Sequence, residues 1–327
     1  MSETRTSVRA PSAVTLVSLI FLPPAWGAHV PPQVFAPDVI SASGHDAAPA
    51  FTSDGKTVYF QRSSAAASTI LVSHLVGGRW STPEIASFSG RWDDLEPAMA
   101  PDGSYLIFVS SRPISDSGKA LDGFYSGTAH PGHGGNLWRV DRAGSGWSEP
   151  VRLPETVNRG ATIFAPSVVA DGSIYFMEPY GEKGRFRLLR SQYRDGSYEA
   201  AQPVPFSDGT FTDVDPAVAP DESFMVFGSG RPPAKSMDLF IVFREGELWG
   251  TPLHLGDDVN QAGSDAEPRL SPDRRTLYFS SERVLPVTLP RDRRAARRDL
   301  ARLSWDNGQY NIWHVPLAPW LAPDLRR

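Results

Sequence analysis

The feature that most constrains this chain is a pattern that occurs five times: a proline, a short strand, an aspartate turn, and a second strand ending in phenylalanine. The copies begin at Pro49, Pro97, Pro166, Pro216 and Pro268. Their turn aspartates are Asp54, Asp102, Asp171, Asp221 and Asp273, so successive copies lie 48, 69, 50 and 52 residues apart. A strand pair that returns at about this interval is typical of a propeller built from four-stranded blades.

The residues around each copy predict two further strands. β-branched and aromatic residues dominate each strand, and Gly, Asp and Pro separate the strands. The last copy lacks a fourth strand, whereas residues 32–39 match the outer-strand segments 150–157 and 252–259. We therefore predict an all-β fold, a single β-propeller of five four-stranded blades whose ring is closed by the N-terminal strand pairing with the C-terminal blade. Six blades is the alternative, and an insertion in the second copy explains the interval of 69.

These patterns give the domain boundaries. We predict a signal peptide at 1–28, a propeller at 29–320 and a tail at 321–327. The predicted blades lie near 46–88, 94–156, 163–207, 213–258, and 264–317 together with 32–40.

The N-terminus has the pattern of an export signal. Arg5 and Arg9 precede an apolar run at 13–22, and the small residues of Ala25-Trp26-Gly27 suit a cleavage site. An uncleaved anchor is the alternative. The chain has no cysteine and a net charge of -5, which favours neither a disulfide framework nor nucleic-acid binding. We predict a periplasmic or secreted monomer with no nucleic-acid partner and no membrane span after cleavage.

The repeat P-x-x-[ST]-x-D-G-x-x-[LIV]-x-F followed by S-x-R resembles the TolB-like, WD40-like propeller repeat of exported bacterial proteins. The resemblance covers essentially the whole mature chain. It implies the fold and leaves the activity open, because this repeat occurs in periplasmic interaction proteins and as a substrate-gating module beside peptidase domains. The chain differs from the best-known member in having no separate N-terminal α/β domain, so a direct TolB-type role in envelope assembly does not follow.

Acids and arginines recur together at fixed positions. An acid stands three residues before the repeat proline in four copies, and in three of these an arginine stands four residues after the phenylalanine. The predicted pairs are Asp94 with Arg112, Asp213 with Arg231, and Asp265 with Arg283. Asp46 lacks the matching arginine. Either it is an unpaired carboxylate, or Arg62, displaced by two residues, reaches it.

A second set of acids stands immediately before the repeat proline: Glu96, Asp215 and Glu267, with Ala48 and Ala165 in the other copies. The sequence contains no nucleophile elbow, zinc-protease helix or phosphate-binding loop. Propeller hydrolases and lyases nevertheless gather carboxylates around the channel. If the protein were such an enzyme, Asp46, Glu96, Asp215 and Glu267 would be its catalytic candidates. Two of them would then face an open pocket unpaired.

Two insertions separate the second and third strands of their blades. Residues 114–135 predict an irregular loop with His130 and His133, near Asp116 and Asp122. Residues 284–310 predict a short helix that begins near Pro290, with Ala296, Leu300 and Leu303 on one side and arginines on the other. The candidate binding residues are Arg293, Arg297, Arg298, His130, His133 and His45.

The hypothesis favoured by these patterns is a non-catalytic exported propeller. It would bind an envelope protein or a glycan through the face that carries both insertions. This hypothesis expects the four candidate acids to be spread around a wide rim and mostly paired with arginines. The alternative is a carbohydrate-active hydrolase or lyase, and a further possibility is docking of the arginine-rich helix to a polyanion. We predict no metal site and no cofactor.

Overall fold

In the computed structural model, residues 30–115, 118–261 and 263–322 are described. The predicted signal peptide and residues 323–327 lie outside them. Within the described residues, five antiparallel sheets form the blades of a propeller, and two small hairpins are added to them. The prediction of an all-β, five-bladed propeller is confirmed. No helix in the described part of the chain is both long and apolar enough to cross a bilayer.

The strands follow one another blade by blade. The first strand of the described residues is β1 (Gln33–Val34). Blade one contains β2 (His45–Phe51), β3 (Thr57–Ser63), β4 (Ser68–Val76), β5 (Arg79–Trp80) and β6 (Glu84–Ile85). Blade two contains β7 (Asp94–Met99), β8 (Tyr105–Ser110), β9 (Gly123–Tyr125), β10 (Thr128–His130), β11 (Asn136–Ala143), β12 (Gly146–Trp147) and β13 (Val151–Arg152). Blade three contains β14 (Phe164–Val168), β15 (Ile174–Tyr180), β16 (Arg185–Ser191), β17 (Tyr193–Arg194), β18 (Ser197–Tyr198) and β19 (Gln202–Pro203).

The last two blades repeat this order. Blade four contains β20 (Asp213–Val218), β21 (Phe224–Ser229), β22 (Asp238–Glu245), β23 (Leu248–Trp249) and β24 (Leu253–His254). Blade five contains β25 (Asp265–Leu270), β26 (Thr276–Ser281), α1 (Arg293–Arg302) and β27 (Asn311–Pro316).

The repeat phenylalanine anchors the core of each blade. It lies within the second strand and is fully buried in all five blades, at Phe60, Phe108, Phe176, Phe227 and Phe279. Burying one such ring contributes about 1.5–3 kcal/mol to folding. The recurrent phenylalanine is therefore a packing residue.

The aspartate turns join the first two strands of each blade. In blade one the carboxylate of Asp54 accepts hydrogen bonds from the Thr52 hydroxyl at 2.7 Å and the Lys56 N–H at 3.0 Å. In blade four Glu222 occupies the usual glycine position with a φ of 56°. This strained conformation is offset by three hydrogen bonds that the Glu222 carboxylate accepts. The donors are the side chains of Tyr175, Arg190 and Arg244.

The first strand belongs to the last blade. β1 pairs antiparallel with β27, with Gln33 opposite His314 and Val34 opposite Trp313. β1 is therefore the outermost strand of blade five, next to β27, β26 and β25. Blade five also contacts blade one, because the Asp46 N–H donates to the Tyr310 carbonyl at 2.9 Å.

The insertions are more regular than the sequence predicted. Residues 114–135 were expected to form an irregular loop, but they contain the hairpin of β9 and β10. Ser126 and Gly127 form its two-residue turn, both at positive φ, which is the conformation that short hairpins need. The predicted helix is present, but its N-cap is Asp292, whose side chain accepts from the Ala295 N–H. Pro290 therefore precedes the helix.

Candidate functional site

The two ends of the channel carry different connections. We call the end with the aspartate turns the turn face. The opposite end, which carries the connections between the second and third strands and those entering the next blade, is the insertion face. Contacts place both insertions there: the Phe124 N–H donates to the Thr162 hydroxyl just before β14, and the Tyr310 ring lies 4.4 Å from the His45 ring at β2.

The predicted acid–arginine pairs are confirmed in three blades. The separations are 2.8 Å for Asp94–Arg112, 2.7 Å for Asp213–Arg231 and 3.0 Å for Asp265–Arg283. In each pair the aspartate starts the inner strand and the arginine follows the second strand. The arginine also donates to a backbone carbonyl of the preceding connection. We call these pairs the blade clamps.

Asp46 is also paired, so the hypothesis of a free carboxylate at this position is wrong. The Nε of Arg62 lies 2.6 Å from Asp46, and the Nη2 of Arg62 donates to the Ile40 carbonyl at 3.0 Å. The Ala42 N–H also donates to Asp46 at 2.8 Å. The length of the arginine side chain compensates for its displacement by two residues, so Asp46 completes a fourth blade clamp.

The residue before the repeat proline adopts a left-handed conformation in every blade. The φ angles are 49° at Ala48, 51° at Glu96, 52° at Ala165, 55° at Asp215 and 49° at Glu267. Each lies at a break in the register between the first and second strands. Such a bulge re-aims a side chain. Because these strands are the innermost of their blades, the bulges direct the three acids into the channel.

We call Glu96, Asp215 and Glu267 the acid ring. The expectation that these acids lie on a wide rim and pair with arginines is wrong for all three. They make no ion pair with any described residue, and Glu96 and Asp215 are buried, each about 5% exposed. The cause is the bulge, which alternation along a regular strand does not reveal.

Two acid-ring members bind the bulge of the next blade. The Glu96 carboxylate accepts the Ala165 N–H at 2.6 Å, and the Asp215 carboxylate accepts the Glu267 N–H at 3.1 Å. In the same way, the Gln61 side chain accepts the Glu96 N–H at 2.9 Å. These acids therefore connect neighbouring blades. Glu267, which has no such contact, keeps a buried Oε2 without a hydrogen-bond partner among the described residues.

Burial makes the acid ring hard to ionise. It raises the pKa of Glu96 to about 8, with further contributions from the charges of Asp215 and Glu267. It raises the pKa of Asp215 to about 7, with a further contribution from Glu267, and it also raises the pKa of Glu267. Like charges brought together in a low dielectric cannot all ionise. The ring therefore holds protons near neutral pH.

Arg269 is a channel residue that sequence reasoning missed. It is 7% exposed, and its Nη1 donates to the Pro268 carbonyl at 2.8 Å. Its Nε and Nη2 have no hydrogen-bond partner in the described part of the chain, and its charge lowers the pKa of the acid ring against the effect of burial. The sequence contains a sign of this role, because the position after the repeat proline is a small residue in four copies and an arginine in the fifth. These residues are Ala50, Ala98, Ser167, Ala217 and Arg269.

Arg269 also contributes to a small cavity where the channel opens on the turn face. The cavity has a volume of about 120 Å³ and is lined by the residues that follow the repeat prolines of all five blades. Arg269 is its only charged lining residue. None of the four catalytic candidates lines this cavity.

The candidate histidines lie on the insertion face in separate contacts. His130 stacks on Tyr125 with the ring centroids 3.8 Å apart, and the His133 Nδ1 lies 3.2 Å from Asp93. His45 is half-buried, and burial lowers its pKa. Asp116, the other residue considered as a ligand, lies outside the described residues. Among those described, no group of three or more His, Asp or Glu side chains is arranged to hold a metal ion.

The candidate arginines are exposed on α1. Arg293, Arg297 and Arg298 make no ion pair with any residue the structure describes, and neither does Arg294. The acid on the helix, Asp299, is instead bound by Arg291 at 2.6 Å and Arg302 at 3.2 Å.

Most of the large apolar side chains that are exposed in the described residues lie on the insertion face. They are Ile114, Phe124, Tyr180, Phe211, Val284, Val287, Leu289, Leu300 and Leu303. Phe124, 53% exposed, borders a groove of about 320 Å³ between the β9–β10 hairpin and blade three. The paired charges of Arg159 and Glu178, 3.0 Å apart, line the same groove.

The five sheets around one channel define the class of this protein as a β-propeller. No protein-family model matches the chain, and none of the curated proteins matches it significantly. Solved structures similar to it include hydrazine synthase from Kuenenia stuttgartiensis, with 15% identity, 83% of this chain and 40% of that chain covered, and a TM-score of 0.51.

Two TolB structures are also similar. A putative TolB from Agrobacterium tumefaciens is 16% identical, with 72% of this chain and 70% of that chain covered and a TM-score of 0.47. TolB from Acinetobacter baumannii is 16% identical, with 84% of this chain and 54% of that chain covered and a TM-score of 0.47. At these identities the comparisons concern the fold alone.

Proposed function

We propose that this protein is a non-catalytic, exported binding propeller, periplasmic or secreted, that acts as a monomer. It binds an envelope protein or a glycan through the insertion face, with the segments 114–135 and 284–310 forming the contact surface. The predicted domain boundaries, with a signal peptide at 1–28 and a propeller at 29–320, belong to this proposal.

The groove beside Phe124 is the observation that carries the proposal. It combines an exposed aromatic ring with a paired arginine and glutamate, the mixture of apolar anchor and polar rim that protein interfaces use. The turn face offers less, because its exposed apolar residues, such as Val76 and Leu248, stand at single hairpin tips.

The test is capture of partners from envelope extract and from purified cell-wall glycan. A double variant, Phe124→Ser with Tyr180→Ser, changes the insertion face. The matched control, Val76→Ser with Leu248→Ser, removes two similarly exposed apolar side chains from the turn face. We expect the insertion-face variant to lose at least tenfold in bound partner and the control to bind like the wild type. Equal binding by both variants contradicts the proposal.

The alternative is a carbohydrate-active hydrolase or lyase that uses the acid ring. The raised pKa values of Glu96 and Asp215 favour it, because a general acid must keep its proton near neutral pH. The hydrogen bonds from Ala165 and Glu267 count against it, since both carboxylates already serve the scaffold. Hydrolysis or elimination on a polysaccharide panel that is abolished by Glu96→Gln or Asp215→Asn supports this alternative.

A further inference from the structure

The helix α1 lies on the insertion face without burying any of its own residues. Its leucines are open to solvent, with Leu300 68% exposed and the C-cap Leu303 55% exposed. A surface helix of a globular protein normally turns its apolar stripe to the core. Here the stripe of Ala296, Leu300 and Leu303 leaves both leucines uncovered by the described protein.

The basic residues of α1 continue from this stripe around the helix. At 100° per residue, Arg293 and Arg297 lie directly beside Leu300, and Arg294 and Arg298 follow. The helix is therefore amphipathic, with apolar and cationic sectors that are both exposed.

The protein does not neutralise these charges itself. Two nearby acids pair with other arginines: Asp299 with Arg291 and Arg302, and Asp306 with Arg302 at 3.2 Å. Asp292 caps the helix by accepting the Ala295 N–H, and Asp38 accepts a hydrogen bond from the Ser304 hydroxyl. Arg293, Arg294, Arg297 and Arg298 form no ion pair with any described residue, so their guanidinium groups remain available to an external anion. The contact with Asp38, which follows the outermost strand β1, also places the helix at the outer edge of blade five.

An occupant of this surface must offer both negative charge and an apolar environment. A polyanionic glycan supplies the first without the second, and it leaves Leu289, Leu300 and Leu303 exposed. An anionic lipid surface supplies both, with phosphates for the arginines and the upper acyl region for the leucines. We infer that α1 binds the surface of a membrane that contains anionic phospholipid, and holds the outer edge of blade five against it. This inference goes beyond the proposed function, since it requires no protein or glycan partner.

The test is sedimentation of the purified protein with vesicles of phosphatidylcholine, alone or with a quarter phosphatidylglycerol. We expect binding to the anionic vesicles that weakens steeply as salt is added. Near an anionic surface each arginine contributes about a fivefold gain in partition. The triple variant Arg293→Gln, Arg297→Gln, Arg298→Gln should therefore lose about a hundredfold. The control, Arg79→Gln, Arg142→Gln, Arg194→Gln, changes the net charge equally at the turn face and should bind like the wild type.

Variants of the two leucines distinguish binding to a lipid surface from binding to a polyanion without apolar groups. Leu300→Ser with Leu303→Ser keeps every charge and should lower partition into anionic vesicles about tenfold or more, because two buried leucines are lost. In Leu300→Trp, the tryptophan fluorescence should shift to the blue, when vesicles are added, by more than that of the wild type, whose nine tryptophans give the background. If the serine variant binds as well as the wild type, or the wild type ignores anionic vesicles, the inference is wrong. Because the vesicles contain no protein or glycan, failure here leaves the capture experiment with Phe124 unaffected.

Discussion

The inner strands of blades two, four and five each carry two acids, two residues apart, and the two acids behave differently. The first, as in Asp265, meets an arginine at 3.0 Å and forms a blade clamp. The second, as in Glu267, is directed by the bulge into the channel, where its charge raises the pKa of Glu96 and Asp215. Burial is common to both positions. What distinguishes them is the local backbone, because a single left-handed residue decides whether a carboxylate forms an ion pair or is buried in the channel among other acids.

The largest expected effect comes from breaking a fully buried clamp. Asp265→Ala leaves the guanidinium of Arg283, which is 7% exposed, without its counter-charge. Removing one partner of a buried pair costs about 3–5 kcal/mol. Urea denaturation monitored by tryptophan fluorescence measures this loss. A loss below about 1 kcal/mol means that the clamp does not stabilise the blade.

The matched change in the acid ring should cost little or no folding stability. Glu267→Ala places at this position the residue that blades one and three already have, Ala48 and Ala165, and it removes an oxygen without a partner. We expect a change within about 1 kcal/mol of zero, or a gain at pH 8, where the ring is most charged. The same denaturation experiment checks it, and a loss as large as that of Asp265→Ala removes the distinction between the two positions.

The pH dependence sharpens the comparison. Because the pKa of Glu96 rises from 4.5 in the unfolded chain to about 8 in the folded one, the native state binds this proton more tightly. The contribution of Glu96 to the free energy of unfolding is therefore greatest below about pH 4.5 and is lost as the pH rises to about 8. Glu96→Gln keeps an acceptor for the Ala165 N–H and removes the titration. Between pH 5 and 8 the variant should gain on the order of 1–3 kcal/mol relative to the wild type.

If the stabilities of the wild type and Glu96→Gln change in parallel between pH 5 and 8, the pKa of Glu96 is not raised. The comparison is best made as a difference between wild type and variant at each pH. Burial also raises the pKa of Asp46, Asp94 and Asp265, and these common contributions cancel in the difference.

The smallest effect is expected at an exposed pair on the turn face. Arg274 and Asp221 are 2.5 Å apart, but both side chains are about half exposed. Water screens such a pair, and it contributes about 0–1 kcal/mol. Arg274→Gln should therefore shift the unfolding midpoint very little. If Arg274→Gln lowers the free energy of unfolding as much as breaking a blade clamp does, then an ion pair needs only proximity, and not burial, to stabilise this fold strongly.

The repeat made the fold predictable because its signals are local. Proline, the aspartate turn and the buried phenylalanine recur within a dozen residues, and the correlated positions of Asp94 and Arg112 predicted their contact. The helix α1 was predictable for the same reason, from the spacing of its leucines.

The channel was less predictable because it depends on backbone conformation and on distant blades. The sequence patterns predict Glu96 on a wide rim, whereas a φ of 51° turns it inward, toward residues more than a hundred positions away. In the sequence, Arg269 is the one charged residue at the position after the repeat proline. Only the folded ring shows that it lies among the acids. The β9–β10 hairpin was missed because its strands are three residues long, although Ser126-Gly127 is a turn signal.

The pairing of β1 with β27 has a consequence for how this molecule is made. The two strands are separated by almost the whole described chain, so blade five cannot be completed until the last strand has been synthesised. Contacts this distant in sequence form slowly, and until they form the neighbouring strands present open edges on which other chains can add. A chain interrupted before residue 311 therefore lacks β27, and the edge of β26 that β27 would cover stays open to strands of other molecules.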